Sequence, residues 1–177
     1  MNYLALLRGI NVSGRNRIPM EELESLCSNL GWNSVGSYLQ TGNVVFTASK
    51  PASALELELE QVIESNFGFS IPVIVRSAPD FKACVAESPL SDLAASDPSR
   101  VLLYLAKSDI LEDVLHNLET RSAAGERLFV RKGALWIHFP SGIGKSKLTP
   151  SVIDKAVGST TTGRNWNTLS KIREMLG

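Results

Sequence analysis

Cysteine is scarce in this 177-residue sequence: Cys27 and Cys84 are the only two, and both fall inside apolar helical patterns. That argues against a disulfide framework or a thiolate metal site and points to a reducing compartment. Long hydrophobic runs are also missing. The apolar stretch Tyr3–Leu7 is cut by Arg8 and Gly9, far short of a signal-peptide core or the ~20 residues that cross a bilayer. The expectation is a cytoplasmic protein without membrane association. No charge of one sign dominates, since 18 Lys/Arg balance 18 Asp/Glu, so the whole molecule has no general attraction for polyanions. The strings HExxH, CxxC, GxSxG and GxGxxG and the EF-hand loop are absent, and His116 and His138 are the only histidines. No metal and no cofactor is expected, and any active site must be assembled from distant residues.

What is present is a repeated order of elements. An apolar strand over residues 2–8 stops at Gly9. A helix then opens at Pro19 and carries Leu23, Leu26, Cys27 and Leu30 on one face. Strands at 34–40 and 43–48 flank Thr41-Gly42 as a tight hairpin. Ser53 and Glu56 form a capping-box pattern ahead of a helix ended by Gly68, and 71–76 is a fourth strand, followed by a short helix. The Ser-, Pro- and Asp-rich stretch 88–99 reads as a linker. The order then recurs: strand 100–106, helix 109–118, strands 127–131 and 135–139, a short helix from Thr149-Pro150 to Gly158, strand 159–162, and a last helix over 165–176. The pattern predicts an α+β protein of two tandem ferredoxin-like (βαββαβ) subdomains with antiparallel sheets. Residues 1–90 form the first, 91–99 the linker, and 100–177 the second with a C-terminal helix. Residues 1–98 hold 6 Lys/Arg against 11 Asp/Glu, a balance of −5, and the rest hold 12 against 7, a balance of +5. Helix solvent faces explain such a difference, notably Glu56, Glu58, Glu60 and Glu64 on one helix. A basic half that meets an anion explains it too.

The segments LLRGINVSG (Leu6 to Gly14), YLQTGNVVF (Tyr38 to Phe46) and GRNWNTLSK (Gly163 to Lys171) are specific in combination. On them the chain resembles the bacterial domain-of-unknown-function 1697 family over nearly its whole length. Ser13 stands where the family's RGINVGG form has glycine. The resemblance implies the same two ferredoxin-like subdomains and no particular chemistry.

Candidate functional residues lie in loops. The Arg8–Ile18 loop gathers three arginines, two asparagines and two glycines between strand and helix, where amides and guanidinium groups suit a phosphate or carboxylate. Glu21 and Glu22 oppose an anion at that helix end, so a ligand should sit on the arginine side. The plainer reading is that Gly9 and Gly14 supply unusual backbone angles while Asn11 and Asn16 satisfy turn amides. Gln40, Thr41 and Asn43 form a polar hairpin tip, also explicable as turn chemistry. GIGKSK (Gly142 to Lys147) is no Walker motif, because Phe139 stands where the first glycine belongs; it leaves Lys145 and Lys147 as point charges. Arg164, Asn165 and Trp166 open the last helix with no acidic residue in its first turn, although Asn165 as N-cap and Trp166 as core anchor is the simpler account.

Tyr104, Trp136 and His138 lie on strands where an RNA-recognition domain stacks bases, but no RNP1 string accompanies them. The leading expectation is a binding protein for an anionic small molecule or nucleic acid, using Arg8, Asn11, Arg15, Gln40, Asn43, Lys145, Arg164 and Asn165. The alternatives are a small enzyme on a phosphorylated or carboxylated metabolite with His138 as acid or base, and an assembly module pairing through sheet edges. Oligomeric state is not encoded in any of these features.

Overall fold

The computed structural model describes residues 1–177. Contacts divide the chain into two units, Met1–Phe81 with Ile172–Gly177, and Lys82–Lys171. The first runs β1 (Asn2–Leu7), α1 (Met20–Asn29), β2 (Asn33–Tyr38), β3 (Asn43–Thr47), α2 (Ala52–Phe67) and β4 (Val73–Ser77). Its sheet has the order β2-β3-β1-β4 with every pairing antiparallel. Tyr3, Ala5 and Leu7 of β1 pack with Leu23 and Cys27 of α1 and Leu55, Leu59 and Ile63 of α2. Leu4 and Leu6 point to the opposite face and are buried as well. Burial on both faces is why β1 reads as one apolar run rather than an alternation.

A helix α3 (Ala78–Ala86) follows, then α4 (Ser91–Ser96), β5 (Val101–Ala106), α5 (Val114–Glu119), β6 (Arg127–Arg131) and β7 (Ala134–His138). A 3-10 turn at Ile143–Lys145, α6 (Pro150–Val157), β8 (Thr161–Asn165) and α7 (Trp166–Met175) complete the chain. The second sheet has the order β6-β7-β5-β8, the same permutation as the first. Its core gathers Tyr104, Ala106, Val114, Leu118, Leu135, Ile137 and Ile153. The protein is α+β, with two four-stranded antiparallel sheets, each in the expected βαββαβ arrangement.

Four local expectations are corrected. The predicted helix over 109–118 shrinks to Val114–Glu119, because Ile110 donates its N–H to the Gly133 carbonyl at 2.9 Å. That bond ties the start of the segment to the β6–β7 turn. The Ser53–Glu56 capping box does not form: Pro51 precedes α2 without a side-chain cap, and Glu56 points inward. The 91–99 stretch contains a helical turn, α4. Strand β8 extends to Asn165, so Arg164 sits on a strand opposite Leu103 rather than on the last helix.

Glu56 leads to a general feature of both units. Its Oε1 accepts the Val75 N–H at 2.9 Å, and Glu60, one turn later on α2, accepts the Val73 N–H at 2.9 Å. Both amides belong to β4, an edge strand. On the opposite edge, Glu24 of α1 accepts the Ser37 N–H of β2 at 2.8 Å. In the second unit Asp154 of α6 accepts the Thr161 N–H of β8 at 2.8 Å. Helix carboxylates thus occupy edge amides that would otherwise recruit another strand. The acidic stripe on α2 is therefore only partly a solvent face.

Cys27 sits beneath this arrangement, fully buried. Burial, aided by the nearby Glu24 charge, pushes its thiol up to about 12. The sign follows directly: a folded pKa above the unfolded value of ~8.5 gives a contribution that is intact below that value and is lost as pH rises toward 12. We expect iodoacetamide at pH 8 to leave Cys27 unlabelled in the native chain and to label it after unfolding in urea, as read by peptide mass spectrometry. Native labelling at the unfolded rate would contradict this burial.

Candidate functional site

The Arg8–Ile18 loop is the most constrained irregular segment of the first unit. Gly9, Asn11, Ser13, Gly14 and Asn16 all have positive φ, between 49° and 74°, a conformation that Asn tolerates better than most side chains. Asn11 holds it together. Its Oδ1 accepts the Ile18 N–H at 2.9 Å, and its Nδ2 donates to the Ile18 carbonyl at 2.9 Å and to the Gln40 carbonyl at 2.8 Å. Asn16 donates to the Gly9 carbonyl at 3.1 Å, and the Asn11 N–H reaches the Asn16 carbonyl at 3.1 Å.

The third Asn11 bond joins this loop to the β2–β3 turn, Leu39 to Gly42. Asn43 is almost wholly buried and donates to the Tyr38 carbonyl at 2.7 Å and to Thr41 Oγ1 at 3.2 Å, so it serves the turn rather than an exposed tip. Gly42 closes the junction: its carbonyl accepts the Leu7 N–H at 2.9 Å, and a Cβ there would lie 2.7 Å from Leu7 Cβ. Together the two segments border an open hollow of about 440 Å³ lined by Asn11, Arg17, Pro19, Met20, Glu21 and Gln40. Arg15, Arg17 and Gln40 are exposed, and Arg8 is half-buried. Arg17 was not among the expected site residues; only its place in the arginine-rich loop hinted at it.

Lys145, Arg164 and Asn165 belong to the second unit. Lys145 is exposed on the 3-10 turn. Arg164 donates to Thr162 Oγ1 and to the Gly163 carbonyl, both at 2.8 Å. Burial of its guanidinium lowers its pKa to about 10, leaving it cationic at neutral pH. Asn165 Oδ1 accepts the Thr168 N–H at 3.0 Å, and the Trp166 N–H goes to the Pro98 carbonyl at 3.1 Å. These two amides of the last helix are used within the protein and not held open for an anion, which corrects the expectation for that helix end. The aromatic candidates are buried and offer no stacking surface. Trp136 is fully buried with its ring centroid 5.9 Å from that of Trp166, and Tyr104 lies in the helix-side core. His138 is buried with Nε2 3.2 Å from Asp97 Oδ2.

A family model described as a protein of unknown function (DUF1697) matches residues 1–136. The chain belongs to this family. The matched span includes the Arg8–Ile18 loop and the Gln40–Asn43 turn, the two segments that Asn11 ties together. Among solved structures, the conserved bacterial protein SP0830 from Streptococcus pneumoniae is similar at 27% identity and a TM-score of 0.77, over 99% of this chain and 98% of that one. No curated protein matches the chain. No helix is long and apolar enough to cross a membrane.

Proposed function

We propose that this family member binds an anionic ligand, a nucleotide or a nucleic-acid phosphate, at the Arg8–Ile18 loop of its first unit. The carrying observation is the Asn11 tie. It fixes an arginine-bearing loop of left-handed backbone beside Gln40, so that Arg17 and Gln40 line a hollow whose walls are ordered before any ligand arrives, with Arg15 two residues away on the same loop. Preordering lowers the entropic cost of binding. Arg17 on the hollow's lining supplies a forked donor suited to phosphate oxygens, and Arg8 and Arg15 add positive charge on the same loop. Glu21 on the hollow's wall keeps the anion toward the arginines. Two buried free cysteines accord with a bacterial cytoplasmic setting for this role.

Thermal unfolding of the whole chain with ATP, pyrophosphate or a short oligonucleotide tests the reading. A ligand at 100 times its dissociation constant adds about 2.7 kcal/mol. That gain should vanish in the Arg15→Ala/Arg17→Ala variant and persist in Lys145→Ala. If no phosphate-bearing compound stabilises the wild type, or if Lys145→Ala loses as much as the double variant, the site is misassigned. A second reading draws on the His138–Asp97 contact: an enzyme on a phosphorylated or carboxylated metabolite with His138 moving a proton. Turnover of any ligand found, abolished by His138→Gln, would favour it.

A further inference from the structure

Four strands lie at sheet edges, and three of them, β2, β4 and β8, carry an amide bonded to a helix carboxylate. The fourth, β6, carries none. It pairs with β7 alone, from Arg127↔His138 to Arg131↔Ala134. Beyond that ladder, its one main-chain bond is the Arg131 guanidinium donating to the Val130 carbonyl at 3.1 Å. The strand alternates cleanly. Leu128 and Val130 pack into the helix-side core, while Arg127, Phe129 and Arg131 share the other face. Arg127 and Arg131 are exposed, and the Arg127 guanidinium lies 5.9 Å from the centre of the half-buried Phe129 ring. Lys132 adds a third positive charge at the strand's end.

We propose that the β6 edge takes up an extended acidic segment of another protein as a fifth strand. Open edges recruit strands through main-chain bonds, and side chains at alternate positions choose the partner. Here those positions read Arg, Phe, Arg. They ask for acidic residues two places on either side of an apolar one. A second copy of this chain fits poorly. In the antiparallel register centred on Phe129, Arg127 of one copy faces Arg131 of the other, and like charges directly opposite destabilise a strand pair. The acidic groups already near β6 do not cancel its charge. Glu112 approaches Arg131 at 3.7 Å and Glu87 approaches Lys132 at 3.2 Å, both as exposed pairs that a partner's carboxylates can displace.

The probe is a fluorescent nine-residue peptide with the centre Glu-Thr-Val-Thr-Glu, titrated into the whole chain and followed by anisotropy. Three companions carry Lys for Glu, or N-methyl groups on one or the other alternating set of amides. We expect the Glu peptide to bind roughly tenfold more tightly than the Lys peptide, with two charge pairs contributing. One N-methylated set should abolish binding and the other leave it intact, and amide exchange across Arg127–Arg131 should slow. Arg127→Glu/Arg131→Glu should reverse the preference toward the Lys peptide. The proposal is overturned if no acidic peptide binds, if both N-methylated peptides bind as well as the parent, or if the wild-type chain dimerises through this edge. The N-methyl comparison uses unmutated protein, so a misfolded variant cannot decide the outcome.

Discussion

Gly42→Ala lowers the unfolding free energy by about 2–5 kcal/mol, the sum of a left-handed backbone penalty and an overpacked neighbourhood. Gly42 has φ of 80°, and a Cβ built on it would lie 2.7 Å from Leu7 Cβ and 2.8 Å from Ile10 Cδ1. Neither neighbour has room to retreat, since Leu7 and Ile10 are both buried in the first core. The residue also accepts the Leu7 N–H and lies two positions after Gln40, so the strain reaches the turn that Asn11 holds. Urea denaturation read by tryptophan fluorescence should show a lower midpoint with an unchanged slope. The control is Gly31→Ala, where φ is also positive and nothing lies within 4 Å of the added carbon; it should lose only the backbone part. Equal losses at the two positions would mean that close packing at Gly42 contributes nothing.

The double substitution Glu56→Ala/Glu60→Ala should destabilise by about 2–4 kcal/mol, because it strands the Val75 amide in a buried setting and frees the Val73 amide. Its second effect is larger in practice. With the carboxylates gone, β4 presents the unpaired and only partly buried Val73 amide at the sheet edge, and the variant should self-associate at concentrations where the wild type does not. Light scattering measures that directly. Glu56→Gln keeps an acceptor oxygen in place and should retain most of the stability. A double variant as stable and as dispersed as the wild type would show that these bonds neither hold the helix nor guard the edge.

How much of this was legible beforehand depends on whether the deciding interaction was local. Strand β1 was legible because a short apolar run ended by Gly9 has few other readings, and the repeated order of elements gave both sheets. The helix expected over 109–118 was not, because its periodicity is sound and only the distant Gly133 carbonyl pulls Ile110 away from it. Glu56 misled for the same reason: the spacing from Ser53 is right for a cap, yet Val75, nineteen residues away, takes the carboxylate. At the candidate site, the turn roles of Asn11 and Asn16 followed from residue type. That Asn11 would reach across to Gln40, and that Arg17 rather than Asn43 would line the hollow, depended on how two loops meet. Spacing carries no record of that.

The membership of Ile172–Gly177 in the first unit sets a schedule for synthesis. Met175 reaches to 3.8 Å of the place where a Cβ on Gly36 would stand, so the ribosome must translate through the entire second half before the opening half has all its parts. A nascent chain therefore waits with all four strands of its first sheet made but the Met175 side chain still missing from beside Gly36, and removal of residues 172–177 injures the portion made first.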